Sequence, residues 1–133
     1  MSYFFGFPDQ KFLNANCDNS VLVGDCVYII SFMDSVYTVG RADMRHVSKL
    51  PTVGIVVTKE SSTKCVVQLS GLIEGIYSGL LIGKSVFVGL DGQITQSSLR
   101  DADNDIFLQI MGSGISPNSI LLSVQFNLTK ILS

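Results

Sequence analysis

Tryptophan is absent from this chain and histidine occurs once, at His46. Only 15% of the 133 residues are charged, against roughly 25% in an ordinary soluble domain. Cysteine is limited to Cys17, Cys26 and Cys65, and proline to three positions. Each shortage excludes something. One histidine leaves little for acid–base or nucleophilic catalysis, which needs a base, an orienting carboxylate and a nucleophile within reach of one another. His46 sits between Arg45 and Val47 with only Asp43 near it in sequence, and reads as an ordinary surface histidine. The absence of tryptophan, and of any basic run interleaved with aromatics, argues against a stacking platform for single-stranded nucleic acid. A formal net charge of −2 argues against a nucleic-acid partner in general. No metal site or cofactor is expected: three cysteines at wide spacing lack the close pairs and histidines of a zinc centre. They read as free thiols, buried or partly buried.

Long hydrophobic runs are missing too. The longest charge-free stretch, Ile106 to Thr129, is broken by Gly112, Gly114 and Pro117, so no membrane association is expected. Met1 to Gln10 has neither a basic start nor a long apolar core, so the expectation is synthesis in a reducing cytoplasm. Low charge has a further consequence. A lone domain of this composition is short of charged surface, and surplus apolar surface is usually covered by a partner.

What the chain has is β grammar. Gly71 to Thr95 is punctuated by glycine among β-branched residues, and Asp91-Gly92 is the clearest hairpin signal: a two-residue type I′ turn needs φ > 0 at both central positions. Val86-Phe-Val leads into that turn and Ile94 leaves it. Before it, Val21 to Phe32 contains Cys26-Val-Tyr-Ile-Ile, apolar on both alternate faces, as in a strand covered on both sides. Met33 to Ser35 is a turn and Val36 to Val39 returns. Gly40 to Pro51 reads as a polar surface loop with one helical turn over Ala42 to Val47. Val53 to Thr58 and Cys65 to Leu72 form a hairpin, and Ile106 to Met111 is a further strand. Ile120, Leu122, Val124, Phe126 and Leu128 alternate with polar residues, which predicts one long half-buried closing strand. Short strands at even spacing predict an all-β fold, a small antiparallel β-barrel or sandwich over residues 21–133.

Met1 to Ser20 stands apart as an irregular N-terminal arm. Phe4, Phe5, Phe7 and Phe12 supply half of the chain's phenylalanines, while Pro8, Asn14, Asn16, Asp18 and Asn19 interrupt any period. Aromatics without periodicity need a surface, either the domain's own core or a neighbouring subunit. The four phenylalanines are the candidate interface residues. Other constellations are weaker. Asp101, Asp103 and Asp105 alternate as calcium ligands do, but Ile106 and Gly112 stand where an EF-hand loop needs Gly and Glu. The cluster reads as a solvated acidic turn. Gly112-Ser-Gly114 is too short for a phosphate loop and no Lys-Ser/Thr follows.

In order, "VGDCVYI", "VYTVGRAD", "PTVGIVV", "VVQLSGLIEG", "GLLIGKSVFVGLDGQIT" and "QIMGSGISPNSILLSV" resemble a small β-domain of tailed-bacteriophage virion proteins, over roughly Val21 to Val124. That family includes capsid decoration (cement) proteins, head fibres and tail-fibre modules. Two departures stand out: the charged Arg41 to Lys49 loop replaces an alanine-rich segment, and the aromatic arm lies outside the pattern. The resemblance implies a non-enzymatic virion component on the capsid surface. It would contact the major capsid protein as a homo-oligomer, with a trimer favoured, and the arm would reach a neighbour. The alternative is a head- or tail-fibre module touching a host receptor through Gly40 to Pro51 and Gln96 to Asp105.

Overall fold

The computed structural model describes residues 9–97 and 100–133. The fold is all-β. In chain order the strands are β1 (Lys11–Asn16), β2 (Cys26–Met33), β3 (Val36–Arg41), β4 (Gly54–Ser61), β5 (Lys64–Glu74) and β6 (Ser85–Val88). They continue as β7 (Ile94–Thr95), β8 (Ile106–Leu108), β9 (Ile110–Ser116), β10 (Ser119–Ser123) and β11 (Thr129–Ile131). A single 3₁₀ turn, Val47–Lys49, lies between β3 and β4.

Five strands close into a barrel in the order β1-β3-β2-β4-β5, with β1 pairing back onto β5. All pairs are antiparallel except β1 with β3, which is parallel. Side chains alternate across a strand, so one of every two points inward. The inward set is small or β-branched: Ala15, Cys17, Val27, Val39, Val56, Cys65 and Val67, with Val21 below them. Larger side chains would not fit so narrow a barrel.

Strand β5 is longer than the barrel needs. Its first part pairs with β4 and β1, and Ser70 to Glu74 runs on to pair with β10. Strands β10, β9, β6 and β7 then extend a second sheet. The bend falls at Gly71, where φ is +97° and a Cβ would lie 2.8 Å from Gln10 Cα. The second sheet lays Ile73, Val86, Val88, Met111, Ile120 and Leu122 over Cys26 and Ile55, on the outer faces of β2 and β4. Cys26 with Val27, and Ile55 with Val56, are therefore buried on opposite faces.

Four expectations change. Lys11 to Asn16, assigned to the irregular arm, is a barrel strand. Leu13, Ala15 and Cys17 point inward while Asn14 and Asn16 face out, so turn-forming asparagines hid a period of two. Gly40 to Pro51 is not a surface loop throughout: Ala42, Asp43 and Met44 are buried, and the helical turn comes later. The closing strand splits after Ser123, which pairs with Ser70; beyond it β4 already occupies that edge of β5. The chain detours and reforms as β11 against β8. Ile106 to Met111 also divides, at Gln109. This side chain is fully buried and mimics a strand partner, accepting from Thr52 N at 2.7 Å and donating to Thr52 O at 2.9 Å.

The Asp91-Gly92 turn has positive φ at both positions, 48° and 78°. It is clamped into the body. Gly92 N donates to Ala42 O at 2.7 Å, Cys26 N donates to Gly92 O at 2.7 Å, and Asp91 N donates to Asp43 Oδ2 at 3.0 Å. A Cβ at Gly92 would stand 3.0 Å from Asp25 Cγ and 3.2 Å from Arg41 Cγ. Gly92→Val is expected to lower unfolding free energy by about 2–3 kcal/mol, from the left-handed backbone and the crowding together. Urea denaturation checks it, and an unchanged midpoint would remove the clamp from the account.

Candidate functional site

A cavity of about 500 Å³ forms the open mouth of the barrel. Leu13, Ile29, Tyr37, Val53 and Leu69 form its wall, Val124 and Phe126 overhang it, and Lys11, Ser70 and Ser123 mark its rim. The inward alternation of β1, β3 and β5 simply continues here past the closed core, now with larger side chains. The mouth is apolar with few polar groups, which suits a hydrophobic occupant.

The surroundings of the mouth are apolar as well. Strands β2 and β3 run beyond the barrel as a hairpin with register Phe32 opposite Tyr37 and Met33 opposite Val36. Phe32 and Tyr37 rings pack at 4.4 Å between centroids. Phe32 is 57% exposed, Met33 70% and Phe126 60%. Ile30 is an unpaired bulge residue lying over Gly40, also exposed. The expectation of a strand covered on both sides thus holds for Cys26 and Val27 and stops at Ile29. The apolar pattern continues there, but among the described residues nothing covers it.

The predicted interface residues divide. Phe4, Phe5 and Phe7 lie outside the described residues. Phe12 is half-exposed on the outer face of β1, opposite Gln68 in register, at the mouth end of the barrel.

The candidate chemistry disperses. His46 is exposed immediately before the 3₁₀ turn. Asp101 Oδ1 accepts from Asp103 N and Asn104 N, which lowers the Asp101 carboxyl pKa through those bonds. Asp105 turns away to Lys130 and to Ser133 N. Among the described residues no three His, Cys, Asp or Glu side chains stand close enough to hold a metal ion. The three cysteines are free and buried. Burial, and then the neighbouring Cys17 thiol, push Cys65 up to about 12, so Cys65 offers no reactive thiolate. No family model, curated relative or solved structure matches this chain.

Two buried carboxylates are structural. Asp25 Oδ2 accepts from Leu22 N at 2.8 Å and Arg41 Nε at 2.9 Å. Asp43 accepts from Arg45 N, from two guanidinium nitrogens of Arg45, and from Asp91 N. Burial opposes ionisation of Asp43, but these donors and the guanidinium charge outweigh it and hold its carboxyl well below the usual range. The unfolded carboxyl, near 3.8, therefore binds protons more readily than the folded one. The contribution to stability is complete above the unfolded value and is lost as pH falls through the folded value. Asp43→Asn is expected to cost about 2–3 kcal/mol at neutral pH. It should also flatten the loss of stability below about pH 4, measured by urea unfolding across pH.

Proposed function

We propose that this chain is a structural protein of a tailed-bacteriophage virion, of the capsid-decoration type. It attaches as a homotrimer to the outer capsid surface, contacts the major capsid protein, and cements adjacent capsid subunits. The observation that carries this reading is an apolar end of the barrel that no described residue covers: Ile30, Phe32, Met33, Val36 and Phe126 around an apolar mouth. Monomeric soluble proteins rarely leave such a patch open. Interface centres are depleted in charge and enriched in aromatic residues and methionine, and this end has that character. The order of β segments resembling the virion domain supports the same class, and the low charge of the chain fits an assembly component.

A fibre module contacting a host receptor is less well supported. It relies on Gly40 to Pro51 as an exposed recognition loop, yet Ala42, Asp43 and Met44 are buried within it.

The test is location and affinity. Labelled protein added to capsids of the phage that encodes it should bind heads and not tail tips. The double variant Phe32→Ser, Met33→Ser should weaken head binding by about tenfold or more, since each loses roughly 1.5–3 kcal/mol of buried apolar contact. Its melting temperature should change little, because both side chains are exposed in the free domain. Binding to tails, or unchanged affinity for heads, would sink the proposal.

A further inference from the structure

We infer that the barrel mouth is the receptor for the aromatic N-terminal segment, residues 1–8, of a neighbouring copy of this chain. This deepens the trimer reading above by naming what joins the copies. It rests on self-association and not on the capsid.

The mouth is a cavity of about 500 Å³ walled by Leu13, Tyr37, Leu69 and Phe126. Its occupant must be apolar, and residues 1–8 carry Tyr3, Phe4, Phe5 and Phe7 without a single charged side chain. The place where the chain leaves the described fold is also informative. Strand β1 runs inward from the rim, so its upstream end leads out of the barrel. Ser70 Oγ donates to Asp9 O at 2.6 Å and Gln10 Nε2 donates to Leu72 O at 2.8 Å. These bonds hold residues 9 and 10 along the edge of β5 where it leaves the barrel, beside the mouth and heading past it.

Filling its own mouth would require a reversal at once. Extended outward, eight residues span about 26 Å, enough to reach an adjacent barrel. Each copy then gives one segment and receives one. Such a heterologous contact closes into a ring when the rotation allows, and a trimer is a small closed ring.

The experiment uses the full chain in solution. Light scattering should give a closed oligomer, a multiple of the 14.4 kDa protomer. Deleting residues 1–8 should give monomer, as should the triple variant Phe4→Ser, Phe5→Ser, Phe7→Ser if the deletion folds poorly. Phe126→Asp, at an exposed mouth position, should weaken self-association by about tenfold or more while leaving the circular dichroism spectrum unchanged. A photo-cross-linking phenylalanine analogue at position 5 should join two chains, with the link mapped to peptides containing Leu13, Tyr37 or Leu69. A monomeric full chain, an oligomer indifferent to the segment, or a link within one chain overturns the inference. A monomeric full chain would also remove the homotrimer from the reading above, whereas an oligomer indifferent to the segment, or a link within one chain, overturns this inference and leaves head binding standing.

Discussion

The whole structure depends on strand β5 belonging to two sheets. Residues Lys64 to Gln68 pair with β4 on one edge and β1 on the other, and so close the barrel. Residues Ser70 to Glu74 exchange β4 for β10 and open the second sheet. Backbone hydrogen-bonding groups cannot be left unpaired inside a protein, so each edge of the strand must be satisfied along its length. That constraint ends β10 at Ser123, routes the chain over the mouth through Val124 and Phe126, and sends the C-terminus to β8. The barrel mouth and its overhang are by-products of the same pairing.

The second sheet covers the barrel on one side only. It seals Cys26 and Ile55 and leaves the far half of β2 bare. The closed barrel has no edge of its own, whereas the second sheet ends at an open edge strand, β7. Exposed apolar side chains stand at the mouth end, at Ile29, Ile30, Phe32, Met33 and Phe126, and also away from it, at Leu22, Leu81, Ile82 and Leu132. The proposed function rests on that distribution: β-structure holds an apolar end in shape, and among the described residues no three His, Cys, Asp or Glu side chains gather. The tightly bonded Asp25 and Asp43 belong to the scaffold. They pin the Asp91-Gly92 turn and Arg41 against the body, and this accounts for their burial.

Much of the fold was legible because its signals are local. Strand alternation in Cys65 to Leu72, and the turn at Asp91-Gly92, depend on nearest neighbours and the pleat. The misread segments depend on distant ones. Asn14 and Asn16 look like turn residues until β3 and β5 flank them. Ala42 to Met44 look exposed until Gly89 and Gly92 dock there, with Met44 N donating to Gly89 O at 2.9 Å and Gly92 N donating to Ala42 O. Asp43 reads as a surface charge until Arg45 and the Asp91 N–H surround it. Of the candidate site, the alternating apolar pattern of β2 was visible, and the mouth was not.

The sequence by itself determined the class: strands of period two, glycine turns, widely spaced thiols and little charge. Those properties are written in composition and spacing. Only the tertiary structure decided which apolar residues stay uncovered. Ile29 and Ile30 are as apolar as Val27, yet Val27 is sealed in the barrel while they reach its open end. Burial is set by which strand lies opposite and where its pairing runs out, a long-range property that no window of sequence contains.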